Sequence, residues 1–318
     1  MLYTNEQLRK FGKNYQQHKE AVERYLHKFN HPKEFRRLKF HEKDYLFQWM
    51  NTIQDDNGYL VYDLYKIPDA NEYLFYKICL TYGEDVDSFS GVFYGPYGRI
   101  TEQQLYKDKC FFDEYLEIWK AQLDEHKGRY LSILKPEIDR KLKELIETYQ
   151  SGKCLTGKTK YCYAVFFWIY YRAKLFFSER NEKGLIFEEL GYQFVANIYT
   201  FCHILVRHYV PSLNGELGAS MNDNIHCIDI NDFLDSIKNL IDSYFKVAPV
   251  LNTNKEYLLF KINNEKYIIW IKYKRLNELD YEEGVEIRSF YKCKEVEDLN
   301  KFLFTKDVEL KKDIYCCI

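Results

Sequence analysis

Apolar positions recur at helical spacing through the first two thirds of the chain and turn to near alternation towards its end, so helices are expected first and strands last. Residues 5–30 and 33–52 read as two helices. The first is opened by Thr4 with Gln7 three residues on, a capping-box pattern, and the second has Pro32 just ahead of it. Over 59–100 the period shortens through YLVYDLY, EYLFYKICLTYG and SGVFYGPYGRI, which predicts short strands or irregular turns. The stretch 101–150 is helical in two segments parted at Gly128, with a kink or fresh start at Pro136. Helices are predicted at 158–178, at 185–210 ending before Pro211, and at 230–246; the polar stretch 211–229 between the last two reads as a mobile loop. The third of these helices places Ile230, Phe233, Leu234, Ile237, Leu240 and Ile241 on one face.

Three strand-like runs follow, Glu256–Ile262, Lys266–Lys274 and Gly284–Cys293. Asn263-Asn264 joins the first two as a hairpin turn, because Asn tolerates the positive φ such turns require. A short helix at 295–303 ends the reading. The fold class is therefore α+β: a mostly helical N-terminal region, then a helix–helix–antiparallel-sheet domain. The boundary falls within 150–185 and is drawn as 1–180, of unassigned role, and 181–318.

Composition changes this picture little. Hydrophobic residues make up 46% of the 318, with 30 Tyr and 23 Phe, so a large core needs no disulfide or metal staple but must find partners for many phenol hydroxyls. A net charge of −2 argues against a stable binder of long duplex nucleic acid and leaves room for a local cluster of cations. The nine cysteines are odd in number, scattered and without C-x-x-C spacing, as expected of reduced, packed thiols. The start MLYTNEQLRKFGK carries no apolar leader pattern. The most apolar run, 161–177, is interrupted by Arg172 and Lys174 and is shorter than the roughly 20 residues a span needs. A soluble, cytoplasmic protein without a membrane partner is expected.

Gly152-Lys153-Cys154-Leu155-Thr156-Gly157-Lys158-Thr159 matches G-x-x-x-x-G-K-[ST]. A phosphate-cradling loop needs a buried strand running into its first glycine, whereas KLKELIETYQS here is charged and amphipathic. The favoured reading is a helix end closed by Gly152, then a helix start with Thr156 as cap; Gly152, Gly157, Lys158 and Thr159 as a nucleotide site are the lesser alternative.

The chemistry concentrates elsewhere. In IYTFCHILVRHYVP, His203 and Arg207 stand i, i+4 on one helix face, while His208 lies about 140° around from His203 on a regular helix. Helix ends attract Arg and His through the macrodipole, so a capping role competes with a chemical one. In the run VEIRSFYK, alternation puts Ile287, Ser289 and Tyr291 on one face and Arg288, Phe290 and Lys292 on the other. Ser289 and Tyr291 can donate hydrogen bonds to a phosphate, and Arg288 and Lys292 can bind it electrostatically.

The order of a helix bearing H-x-x-x-R-H, a polar loop, an amphipathic helix, and strands ending in h-x-[ST]-x-Y resembles the C-terminal nuclease modules of the barnase–EndoU–colicin–RelE superfamily, as found in phage proteins and bacterial toxins. The resemblance covers about 190–305; the strand hydroxyl is Ser where Thr is usual, and the helix is longer and more aromatic than the pattern. It implies an active centre of His203, Arg207, Ser289 and Tyr291, with His208 as an adjunct. The implied reaction is RNA cleavage by 2′-OH attack to a 2′,3′-cyclic phosphate, without metal or other cofactor, in a protein that needs an immunity or regulatory partner. His203 suits the acid–base role and Arg207 the clamping of phosphate oxygens. The competing expectation is a non-catalytic interaction or scaffold protein on a degenerate nuclease-like fold. It predicts that His203 and Arg207 face the core, or that Ser289 and Tyr291 lie far from them.

Overall fold

A computed structural model describes residues 2–28, 35–58, 60–67, 69–82, 102–125, 128–178, 184–209, 233–249, 255–275 and 283–318. The expected loop at 211–229, the run SGVFYGPYGRI, Pro32 and Ile230 lie outside them. The chain forms two compact units: residues 1–127 with 138–171, and residues 128–137 with 172–318.

The first unit is helical. Thr4 caps α1 (Asn5–Lys10) with the full capping box to Gln7. The single helix expected over 5–30 is broken where Gly12 takes φ +55°, and α2 (Tyr15–Lys28) starts afresh. A 3-10 turn at Phe35–Arg37 precedes α3 (Phe40–Met50). Strands or turns were expected next; Gln54 and Leu60 do form an isolated bridge, but EYLFYKICLTY builds α4 (Asn71–Tyr82). Its aromatic residues favour strands intrinsically. Packing decides otherwise, for Phe75 stacks on Phe112 of α5 (Glu102–Glu125) and meets Phe167 edge-on.

Gly128 at φ +128° separates α5 from α6 (Leu131–Tyr149), which carries Pro136 within its second turn and continues through it. Then comes α7 (Lys153–Ser178). The tyrosines find carboxylate acceptors: Tyr73 donates to the partly exposed Asp44 at 2.7 Å, Tyr25 to the buried Glu42 at 3.0 Å, and both Tyr65 and Tyr82 to the buried Asp108. Burial raises the Asp108 carboxyl above its ordinary range against the donors that stabilise its anion.

Gly152, at φ +102°, follows helix α6 rather than a strand, and Gly157, Lys158 and Thr159 lie inside α7. Thr156 does not cap the helix as expected. The helix begins earlier, at Lys153, and the Thr156 hydroxyl bonds back to the Gly152 carbonyl. Backbone N–H groups within a helix are already engaged and cannot ring a phosphate.

The second unit contains a seven-stranded sheet of order β1-β2-β5-β4-β3-β7-β6. The helix expected over 185–210 is a hairpin in its first half. β1 (Leu185–Glu189) and β2 (Tyr192–Ala196) pair antiparallel through Leu190 and Gly191, both at positive φ. Gly184 enters β1 at φ +78°, where a Cβ would stand 2.6 Å from the Ala196 carbonyl oxygen. Gly184→Ala is therefore expected to cost about 1–3 kcal/mol, read as a lower thermal midpoint.

After β2 the chain enters α8 (Ile198–Ile204), which runs into a π turn at Leu205–Tyr209, and later the amphipathic α9 (Phe233–Val247). The strands β3 (Tyr257–Ile262), β4 (Glu265–Arg275) and β5 (Glu283–Lys292) form the expected meander, with Asn263 and Asn264 at φ +51° and +65°. The expected terminal helix shortens to α10 (Val296–Asn300), and two strands the sequence reading lacked, β6 (Asp307–Lys311) and β7 (Ile314–Cys317), extend the sheet beyond β3. The sheet is mixed rather than purely antiparallel, because β2 pairs parallel with β5. That crossover brings α8 onto β5, where the Thr200 hydroxyl donates to the Ile287 carbonyl and the Asn197 amide donates to Glu286 at 2.9 Å.

Candidate functional site

A cleft of about 740 Å³ in the second unit is lined by His203, Arg207 and His208 from α8 and its π turn, and by Arg288, Ser289, Tyr291 and Lys292 from β5. These are the seven residues the sequence singled out, and two segments about eighty residues apart supply them. The π turn and a β-bulge account for the convergence.

A regular helix would hold His208 well away from His203. The π turn has one residue more per turn, which carries residue i+5 back towards i. The two imidazoles accordingly meet at 6.1 Å, nearly edge to face, and His208 points into the cleft rather than elsewhere.

In β5 the simple alternation fails at one residue. Ser289 pairs with Trp270 of β4 and Ile287 with the next residue, Ile271, so Arg288 is the extra residue of a bulge. A bulge turns its two residues to the same side. Arg288 thus joins Ser289 and Tyr291 on the cleft side, whereas Val285, Ile287 and Phe290 are fully buried in the core. The expectation that Ile287 shares a face with Ser289, and Arg288 with Phe290, is corrected by this bulge.

The side chains form a connected stack. The Arg288 guanidinium lies 4.8 Å over the Tyr199 ring, Tyr199 stacks on His203 at 5.4 Å, and His208 stacks on Tyr291 at 4.6 Å. His208 Nε2 is 3.0 Å from the buried Ser289 hydroxyl. Its Nδ1 is buried and has no hydrogen-bond partner among the described residues. The Tyr291 hydroxyl accepts from the Trp270 indole at 2.8 Å and donates to Asp298 at 2.7 Å, and Lys301 donates to the other Asp298 oxygen at 2.8 Å.

Burial pushes His208 down to about 3, with His203 and Arg207 adding to the effect, so it is neutral at pH 7. His203 is lowered less, by burial first and then by Arg207 and Arg288, against an opposing pull from Glu137. Burial, followed by the bond to Asp298, raises the Tyr291 phenol well above its ordinary value.

Three of the cleft cations are paired with carboxylates. Arg207 meets Glu137 at 3.3 Å, Arg288 meets the buried Glu286 at 2.9 Å, and Lys292 meets Glu265 at 3.0 Å. Lys272 and Lys294 also line the cleft, with Glu256, Glu295 and Asp298 on the acidic side. Sequence reasoning missed Tyr199, Trp270, Asp298 and Glu137. Tyr199 alone left a signal, standing four residues before His203 on the same helix face.

Because its hydroxyl is held by Trp270 and Asp298, Tyr291 orients His208 through its ring rather than through its oxygen. Tyr291→Phe keeps the ring, so it is expected to cost about 1–2 kcal/mol in denaturant unfolding while leaving the His208 environment in place. A large displacement of the His208 resonances in that variant would contradict this division of roles.

No group of three or more His, Cys, Asp or Glu side chains that could hold a metal ion is found among the described residues. Among those residues no helix is long and apolar enough to cross a membrane. Searches of family models, curated proteins and solved structures return no match to this chain.

Proposed function

We propose that the cleft binds a phosphodiester of RNA and cleaves it by attack of the adjacent 2′-hydroxyl, without a metal ion. The observation that carries this reading is the gathering of His203, Arg207, His208, Arg288, Ser289, Tyr291 and Lys292 around one cavity, with His208 and Ser289 in contact. A histidine kept neutral at pH 7 can take the 2′-hydroxyl proton as the O2′–P bond forms and the P–O5′ bond breaks, with the departing O5′ taking its proton from water. Arg207 would hold the nonbridging oxygens, where negative charge grows in the phosphorane. An anionic phosphate in the cleft would offset the two guanidiniums and raise the proton affinity of His203, strengthening it as a base. His208 and Tyr291 act as positioning residues that hold Ser289 and the cleft wall.

The test is digestion of a mixed RNA in EDTA, with mapping of the product ends. Cyclic-phosphate ends support the reading, and no cleavage across several RNAs removes it. An active enzyme of this kind would harm its host unless restrained by a neutralising partner, and its expression would be tolerated better after loss of His203.

The pairing of Arg207, Arg288 and Lys292 with carboxylates favours a second reading, in which the second unit is an interaction module that retains the geometry without catalysis. Binding of a non-cleavable oligonucleotide without turnover of its cleavable counterpart would select it.

A further inference from the structure

We propose that Glu137, on α6, completes this cleft as a positioning residue: it holds Arg207 and balances the two guanidiniums that flank His203. The proposal rests on the cleft being the functional site, but not on which reaction occurs there. Glu137 lies 66 residues before His203, outside the 190–305 stretch that carries the resemblance.

Its Oε1 accepts from Arg207 Nη2 at 3.3 Å, through a single nitrogen. Arg207 lines the cavity, so its remaining N–H donors are left for an anion there. A guanidinium on a long side chain carries much rotamer entropy, and fixing one corner of the fork lowers the loss on binding.

The second effect is electrostatic. His203 feels Arg207 and His208 from its own segment, Arg288 from β5 and Glu137 from α6, while Lys272, Lys292, Lys294, Glu256, Glu295 and Asp298 also line the cavity. Two guanidiniums oppose a proton on the imidazole, and Glu137 is the carboxylate that counters them. Without it His203 would be a weaker base. Pro136 immediately precedes Glu137 in α6 and is exposed, so the carboxylate is carried by a continuous helix rather than by a loop.

The test follows the His203 ring by NMR titration in the whole protein, which needs no substrate. Glu137→Gln, which keeps the shape and removes the charge, is expected to lower the His203 midpoint by about half to one pH unit. Arg207→Gln should raise it. The double variant, in which neither charge remains, should return it close to wild type. Glu137→Asp supplies a variant that keeps the charge should the glutamine fail to fold, and its midpoint should stay near wild type. A folded Glu137→Gln protein with an unmoved His203 midpoint overturns the proposal, as does a shift upward. If RNA cleavage is absent while the midpoint shifts as stated, the reaction assignment fails and the role of Glu137 stands.

Discussion

If the cleft carries out the proposed reaction, replacing His203 by glutamine is expected to reduce RNA cleavage by about 10²- to 10⁴-fold, the usual worth of one acid–base group. The side chain is half-buried and stacks on Tyr199, so glutamine retains much of its volume and the fold should survive. Circular dichroism and the thermal midpoint would establish that. Arg207→Ala should fall in parallel through loss of transition-state charge stabilisation, with an additional rise in KM if the guanidinium also holds the ground state. A folded His203→Gln protein with an undiminished rate would take the base out of the mechanism. It would leave the helix-end histidines a packing role, through their stacking on Tyr199 and Tyr291.

The second large effect is a loss of stability in acid. His208 titrates near 3 in the folded protein and near 6.5 when unfolded, because burial penalises its charged form. Between those values the unfolded chain binds the extra proton, so stability rises with pH through this window. The contribution is complete above about pH 6.5 and declines as pH falls towards 3, at up to about 1.4 kcal/mol per pH unit. By pH 4 the loss from this residue alone is on the order of 3 kcal/mol. His203 is also lowered and adds a loss of the same sign. Comparing urea unfolding of wild type and His208→Gln from pH 7 to pH 4 isolates the effect, because the remaining groups are common to both. The variant should show the shallower decline, and equal slopes would mean that His208 is hydrated enough to protonate in place.

The parts of this fold that were legible in the sequence are those where a local pattern and the final packing agree. β3, β4 and the Asn263-Asn264 turn satisfy strand alternation, β propensity and turn chemistry at once, and α9 satisfies a helical stripe buried along its length. β1 and β2 were hidden because LIFEELGYQFVA fits a helical period as well as two five-residue strands, and only the Leu190-Gly191 turn distinguishes them. α4 was hidden by its aromatic residues, whose preference yields to the Phe75 contacts.

The site divides the same way. His203 with Arg207, and Ser289 with Tyr291, are readable because helix and strand periods are fixed. His208 and Arg288 were misplaced because a π turn and a bulge each change the period by one residue, and neither leaves a residue-type signature. Glu137 and Trp270 reach their partners only through tertiary structure, which no spacing along the chain encodes.

The way α6 and α7 are divided also decides where this protein can be cut. A fragment beginning at residue 181 would match the sequence boundary, yet it would discard 128–137 and 172–178, which belong to the second unit. Phe201 would lose Phe176 and Phe177, which lie 5.0 and 5.7 Å away, and Arg207 would lose its carboxylate. Such a fragment would report on a damaged cleft, and its silence in an assay would say nothing of the intact chain. A fair dissection would begin no later than Gly128, which keeps 128–137 and 172–178 on one chain with the sheet.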